Sequence, residues 1–157
     1  MYALSAAIDV NPPGEPVHLT RAMLWAGLVM KAENAVLFVP SITHCNVLER
    51  FEDGFIREIE LRGVRMRERI TLTPRIEIRF QRLDTDHGGW ITNCIHDSPH
   101  GLQLSFSFAM RFPGIADGSA AETAAGDAVR ESYLSAITAT LATCRRLAAE
   151  KSLAAAP

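Results

Sequence analysis

The predicted hairpin strands are mainly apolar but contain three charged residues, Glu49, Arg57 and Glu68. Charged side chains at this spacing could anchor a ligand or support acid–base chemistry. Arg62-Gly63 is typical of a two-residue hairpin turn, which places Arg57 opposite Glu68. The same register pairs Leu61 with Val64, Ile59 with Met66 and Phe55 with Ile70 on one face, and Glu60 with Arg65 and Glu58 with Arg67 on the other. Because a slip of one residue would destroy both patterns, this register is strongly specified.

The position of Glu49 depends on the preceding hairpin. Glu52-Asp53-Gly54 fits a three-residue loop with glycine in the left-handed position. This loop predicts Phe51 opposite Phe55, Val47 opposite Ile59, and Glu49 opposite Arg57. Directly opposed residues have Cβ atoms about 4.5–5.5 Å apart, so the three charges could form ion pairs in one row. Across the later strands, the row is expected to continue through Phe80, Asn93 and Phe106.

Two interpretations of this charged row remain open. A closed salt-bridge network would fix the sheet, since removing one partner from a buried ion pair costs on the order of 3–5 kcal/mol. Alternatively, the row is a polar anchor inside an apolar cavity, which is a common composition for ligand pockets. Arg57 between two carboxylates should hold both ionised. That arrangement suits recognition of a hydroxyl or amine better than proton donation by Glu68, which would need a raised pKa.

The hairpins belong to a longer series of predicted elements. These are a strand from Tyr2 to Val10, a helix over residues 21–32 capped by Thr20, a short helical turn from Glu33 to Phe38, six strands between Ile42 and Phe112, a loop over 113–124, and a helix to Lys151. This order predicts an α+β fold with a seven-stranded antiparallel sheet whose apolar face is covered by the long C-terminal helix. A curved sheet around one helix leaves space between them unless large side chains fill it.

The long helix carries one apolar stripe toward that space. Its members are Val129, Tyr133, Ile137, Leu141 and Cys144. Tyr133 alone has a strong polar tip, so its hydroxyl is the candidate to reach the cavity.

Composition and charge limit the class of protein. The 157 residues are 48% hydrophobic and 22% charged, with a net charge of −2, which is an ordinary globular mixture. We expect a single domain over residues 1–151 and a frayed tail over 152–157. Three widely spaced cysteines and the lack of a secretion-signal pattern favour a cytoplasmic location, and no apolar run is long enough to span a membrane.

Other chemistry-bearing patterns have simpler explanations. Cys94, His96 and His100 have metal-like spacing, but Pro99 and Gly101 explain the segment as a hairpin, so no metal site is predicted. The remaining histidines, His18, His44 and His87, are expected at the surface. Arginines along outward strand faces alternate with glutamates, which argues against nucleic-acid binding. Because nucleophile and phosphate-loop motifs are missing, the sequence predicts neither a catalytic residue nor a cofactor.

The order of elements resembles the helix-grip superfamily of birch-pollen-allergen-like and START-related domains. Two local motifs resemble its AtaL-like branch of bacterial and fungal proteins: Leu24-Trp25-x-Gly27-Leu28-x-x-Lys31-Ala32 and Phe38-Val39-Pro40-x-Ile42-x-x-Cys45-x-Val47-Leu48-Glu49. The resemblance implies an internal hydrophobic cavity, and superfamily members include carriers, lipid-transfer domains and polyketide cyclases. Glu52-Asp53-Gly54 departs from the glycine-rich loop of the plant allergens, so functions of that loop do not transfer.

The resulting prediction is a cavity that binds a small hydrophobic or aromatic ligand. Its predicted ligand-binding residues are Glu49, Phe55, Arg57, Ile59, Glu68, Phe80, Asn93, Phe106 and Tyr133. The alternative is a cofactor-free cyclase, dehydratase or isomerase with Glu68 or Tyr133 in acid–base work. A third possibility is a stress or partner-binding protein with a collapsed cavity. The sequence leaves the oligomeric state open.

Overall fold

The computed structural model describes residues 1–84 and 88–151. In chain order, the elements are β1 (Tyr2–Asp9), α1 (Arg21–Glu33), a 3₁₀ helix (Ala35–Leu37), β2 (Ile42–Phe51), β3 (Gly54–Leu61), β4 (Val64–Thr73), β5 (Glu77–Arg82), β6 (Gly89–Ser98), β7 (Gly101–Met110) and α2 (Ala120–Ala149). The strands form one antiparallel sheet in the order β1-β7-β6-β5-β4-β3-β2. The predicted fold is confirmed. The predicted tail over 152–157 and His87 lie outside the described residues.

The β3–β4 hairpin has the predicted register. Arg62 and Gly63 adopt φ angles of 51° and 78°, as a two-residue hairpin turn with a matching twist requires. Arg57 therefore lies opposite Glu68, and the apolar and charged pairs on the two faces are those predicted. Turn chemistry and the two-face pattern were sufficient to define this part of the sheet.

The predicted register of the β2–β3 hairpin is wrong. Phe51 lies opposite Gly54, and Glu49 lies opposite Ile56 rather than Arg57. Gly54 is the first residue of β3 and pairs with Phe51, so the turn consists of Glu52 and Asp53 alone. A Cβ at Gly54 would overlap the carbonyl oxygen of Ile70, so glycine is needed there for the close approach of the strands. A register shift between Val47 and Glu49 then adds one residue to β2 and leaves Glu49 exposed.

Both helices begin at polar caps. The Thr20 hydroxyl accepts a hydrogen bond from the backbone N–H of Met23 at 3.2 Å, so α1 begins as predicted. The long helix α2 begins at Ala120, inside the segment predicted as loop. Ser119 accepts from the Glu122 N–H at 3.1 Å, while the Glu122 carboxylate accepts from the Gly118 N–H at 2.8 Å. These reciprocal bonds stabilise the first turn, which explains the earlier start.

The core lies between the inner face of the sheet, α1 and α2. Ile137, Leu141 and Cys144 of the predicted α2 stripe are buried in it, whereas Val129 and Tyr133 are half-buried. In the described parts of the chain, neither helix has the length and apolar character needed to cross a membrane. The half-buried end of the α2 stripe is where packing becomes incomplete and a cavity opens.

Candidate functional site

A cavity of about 140 Å³ lies between α2 and the inner face of strands β3 to β7. Its lining includes four aromatic side chains (Phe80, Phe106, Phe108 and Tyr133) and four charged ones that carry the polar end (Lys31, Arg57, Glu68 and Arg82). Arg62 and Ser132 are exposed lining residues, and a 3.3 Å hydrogen bond between their side chains joins the β3–β4 turn to α2. The cavity therefore meets the surface between that turn and the long helix.

Arg57 connects the sheet to the end of α1. Its Nε and Nη2 atoms donate to Glu68 Oε2 at 2.9 and 2.7 Å, and both side chains are at most 5% exposed. Its Nη1 atom donates to the carbonyl oxygens of Lys31 and Ala32 at 3.2 and 2.7 Å. Those carbonyls belong to the last turn of α1, where backbone acceptors lack helical partners and the helix dipole favours a cation. All three guanidinium nitrogens are thus engaged: Nε and Nη2 bind Glu68 on the neighbouring strand, and Nη1 holds α1 against the sheet.

Lys31 is a functional candidate that sequence reasoning did not select. Its Nζ atom donates to Asn93 Oδ1 at 2.8 Å and lies 4.1 Å from the centroid of the Phe106 ring. The side chain is 8% exposed. Burial, followed by repulsion from the nearby Arg57 guanidinium, lowers the pKa of Lys31 from 10.5 to about 7, although Glu68 opposes part of this effect. Lys31 therefore changes its protonation state near neutral pH.

The sequence did contain a pattern that points to Lys31. Leu24, Leu28 and Lys31 are spaced i, i+4 and i+7 along α1, so the lysine continues the buried stripe of the helix. A lysine at such a position must either extend its ammonium group to solvent or find polar partners inside the protein. Here it meets Asn93 on β6, a contact between a helix and a distant strand that strand-pairing rules do not provide.

Six of the predicted ligand-binding residues line the cavity: Arg57, Ile59, Glu68, Phe80, Phe106 and Tyr133. Three lie elsewhere. Glu49 is exposed, Phe55 is a core residue that is 1% exposed, and Asn93 is buried behind Lys31 as its hydrogen-bond acceptor.

The row beyond Glu68 also differs from the prediction. Arg82 lies opposite Glu68, whereas Phe80 lies opposite Ile70, because three residues separate Thr73 from Glu77 in the β4–β5 connection. The Asn93–Phe106 pair is present as predicted. Arg82 lines the cavity and therefore differs from the arginines on the outer face of the sheet. Residues two apart on a strand point to the same face, so the buried Phe80 already indicated that Arg82 points inward.

Tyr133 of α2 contributes a polar group, its hydroxyl, to the cavity. Its hydroxyl donates to the Met110 sulfur at 2.9 Å, and its ring lies 4.4 Å from that of Phe108. A thioether is a weak acceptor, so this hydroxyl could exchange the contact for a stronger ligand acceptor.

A seven-stranded antiparallel sheet wrapped on a long C-terminal helix, with a partly filled space between them, defines a helix-grip protein. The family model described as "AtaL: Acetylaranotin biosynthesis cluster protein L" matches residues 4–151. The chain belongs to this AtaL family. No individual curated protein matches it.

Solved structures show the same fold at low sequence identity. The di-domain ARO/CYC StfQ from the steffimycin biosynthetic pathway is 12% identical with a TM-score of 0.69; the match covers 96% of this chain and 52% of StfQ, so this chain spans about half of that protein. The Zhui aromatase/cyclase from Streptomyces sp. R1128 is 16% identical with a TM-score of 0.67 over 94% of this chain and 95% of that one. A START superfamily protein from Mycobacterium smegmatis is 14% identical with a TM-score of 0.65, covering 92% and 98%. At these identities, the likeness establishes the shared fold.

Proposed function

We propose that the protein binds a small hydrophobic or aromatic ligand in the cavity between the sheet and α2. The observation that carries the proposal is the combination of aromatic walls with one charged end, since ligand pockets are commonly apolar with a few polar groups that set orientation. Phe80, Phe106 and Phe108 would contact the apolar body of the ligand. Lys31 and Tyr133 would meet its polar group, because Arg57 is already engaged with Glu68 and α1.

The cavity volume limits the size of the ligand. At about 140 Å³, it is close to the apolar cavity of about 150 Å³ that binds benzene in another protein. A single substituted ring therefore fits without rearrangement. A larger fused-ring ligand would require separation of the β3–β4 turn from α2, which breaks the exposed Arg62–Ser132 hydrogen bond.

The alternative is a cofactor-free cyclase, dehydratase or isomerase that uses the same cavity. Two structurally similar proteins are named aromatase/cyclase or ARO/CYC, and a buried lysine with a pKa of about 7 suits proton transfer at neutral pH. Glu68 is the weaker acid–base candidate because one of its oxygens accepts two hydrogen bonds from Arg57. An enzyme would turn over a bound ring compound in a reaction lost in Lys31→Met, whereas a carrier would release it unchanged.

A cavity-filling substitution tests ligand binding. Ala136 lines the cavity, whereas Ala142 is an exposed residue of the same helix, so Ala136→Phe and Ala142→Phe add the same ring inside and outside it. Binding of toluene is followed by chemical-shift changes of the cavity methyl groups, and native mass spectrometry of fresh protein detects any ligand already bound. We expect toluene binding in the parent and in Ala142→Phe, and its loss in Ala136→Phe. Absence of binding in the parent, or equal binding in both variants, would contradict the proposal.

A further inference from the structure

We propose that the Lys31 amine forms a covalent imine with a carbonyl ligand, namely an aromatic aldehyde or ketone held in the cavity. This inference rests on the proposed ligand binding and adds a chemical class of ligand to it. Three features of the molecule support it: the position of the amine, an unsatisfied hydrogen-bond donor beside it, and the composition of the chain's cationic residues.

The amine lies among residues that line the cavity. Nζ is 4.1 Å from the Phe106 ring centroid and 5.8 Å from that of Phe80, and all three residues contribute to the lining. Its hydrogen-bond partner is the neutral Asn93 amide. In residues 1–84 and 88–151, no carboxylate oxygen lies within the 4.0 Å of Nζ that an ion pair requires. The amine is thus positioned beside the aromatic walls without a counterion.

Asn93 supplies a second observation that points to a ligand. The side chain is 1% exposed, and its Oδ1 atom accepts from Lys31. The other amide atom, Nδ2, is buried and has no hydrogen-bond partner within the described part of the chain. A buried donor of this kind normally has an acceptor, and leaving it unsatisfied costs about 1–3 kcal/mol. Asn93 does not line the cavity, so the carbonyl oxygen of a ligand beside Nζ would reach Nδ2 only where the Lys31 side chain moves to admit it.

The protonation state of Lys31 suits a nucleophile. Imine formation needs the neutral amine, and a lysine placed in an apolar pocket next to another cation is activated in this way. Since burial and Arg57 lower the pKa of Lys31 to about 7, about half of the amine is neutral at pH 7. The groups that act on it are Arg57, which lowers this pKa, and Glu68 and Cys144, which raise it. Arg62, which is exposed, and Arg82 are the other charged residues of the lining.

The use of lysine in this sequence is selective. Of the 16 lysines and arginines, two are lysines, Lys31 and Lys151. Arginine, which stays protonated in proteins, supplies nearly all other positive charge. Lys151 is exposed, so the buried position holds a cationic residue that can lose its proton. Peptide mapping separates Lys31 from the two other primary amines, Lys151 and the N-terminal amine of Met1, and Lys151 is the exposed internal control.

The reaction is a condensation. The Nζ lone pair attacks the carbonyl carbon as the C=O π bond opens, and the oxygen takes a proton to give a carbinolamine. The oxygen then leaves as water with the second amine hydrogen, and a C=N bond remains. The net change is amine plus carbonyl compound to imine plus water, so no oxidant or reductant is required.

Reductive trapping tests the inference. The full chain is incubated at pH 7 with benzaldehyde and sodium cyanoborohydride, which adds hydride to the imine carbon and leaves a stable benzyl-lysine. Peptide mapping then compares benzylation of Lys31 with that of Lys151. At pH 7, the neutral fraction of a lysine with a pKa of about 7 is on the order of 10³ times that of an ordinary lysine, so we expect at least roughly tenfold preference for Lys31.

Lys31→Met and Lys31→Arg, each checked for folding by thermal unfolding, are expected to lose the preferred adduct, while Lys151→Arg retains it. Toluene, which has the ring but no carbonyl group, separates the two proposals. Toluene binding without preferential trapping at Lys31 would overturn the imine and leave the ligand-binding proposal intact. Equal labelling of Lys31 and Lys151 would also overturn it, because the reaction would then be ordinary surface chemistry. Failure of toluene to bind would contradict the ligand-binding proposal itself.

Discussion

Replacing Arg57 by methionine should destabilise the protein strongly. The substitution leaves the Glu68 carboxylate buried without the two hydrogen bonds that it accepts from Arg57. It also removes the donor to the α1 carbonyls of Lys31 and Ala32. Breaking one side of a buried ion pair costs about 3–5 kcal/mol, and a shift of about 2–4 °C per kcal/mol for a protein of this size lowers the melting temperature by roughly 6–20 °C.

A double substitution distinguishes the contribution of the Arg57–Glu68 ion pair from the cost of leaving the Glu68 carboxylate buried without a partner. Arg57→Met with Glu68→Gln removes both charges, so the uncompensated carboxylate disappears and part of the lost stability should return. Arg65→Met is the matched control, since Arg65 lies on the neighbouring strand and pairs with Glu58 and Glu60 at the exposed face. Exposed pairs contribute little, so its unfolding midpoint should stay near that of the parent.

Urea unfolding followed by tryptophan fluorescence measures these effects, because Trp25 is a residue of α1 that is buried in the core. A loss of less than about 1 kcal/mol in Arg57→Met, or equal losses in Arg57→Met and Arg65→Met, would refute the view that Arg57 holds α1 against the sheet. Loss of toluene binding in a folded Arg57→Met variant would additionally give Arg57 a role in the cavity.

Three further predictions concern buried groups. Because the folded state lowers the pKa of Lys31 to about 7, the unfolded chain binds more protons than the folded one between about pH 7 and 10.5, and the parent becomes more stable as pH rises through this range. We expect Lys31→Met to be more stable than the parent at pH 6, where the buried ammonium is charged. Urea titrations should show this advantage shrinking above about pH 7, by up to about 1.4 kcal/mol per pH unit. Gly126→Ala should lower the melting temperature despite better helix propensity, since its Cβ would overlap the Tyr2 ring, and Tyr2→Ala should relieve the effect. Burial raises the pKa of the Cys94 and Cys144 thiols to about 11. Ellman's reagent at pH 8 should therefore modify both thiols slowly in the native protein, and unfolding in urea should abolish this protection.

The part of the sheet that the sequence could predict is the part with redundant local constraints. In the β3–β4 hairpin, Arg62-Gly63 defines a turn type, and the apolar and charged faces require the same register independently. The β2–β3 hairpin has no such redundancy. An irregularity after Val47 changes the register by one residue, and Gly54 is required for close approach to Ile70 instead of for the turn. Glu49 was therefore placed on the wrong face.

The candidate site was predicted in part because its sheet residues follow the alternation of strands. To place Ile59, Phe80 and Phe106 in the cavity, a prediction needs only the correct face of each strand. The register error at Phe80 is two residues, which keeps its side chain on the same face. Lys31 is different because it enters from α1, and its partner Asn93 lies 62 residues away in the sequence. Periodicity gives the face of one element and says little about which residue of another element packs against that face.

The charged end of the cavity combines two cations with different properties. Arg57 has a planar set of donors that can join one carboxylate to two carbonyls, and it keeps its charge whatever its surroundings. Its fixed charge lies near Lys31 and, together with burial, makes the protonated lysine unfavourable. Exchanging the two residue types would lose both effects, since lysine cannot supply the planar fork and arginine cannot supply a neutral amine. Under the proposed role of Lys31, Arg57 would influence ligand chemistry through the lysine while its own hydrogen bonds join Glu68 to α1, so the network and anchor interpretations of the charged row are compatible.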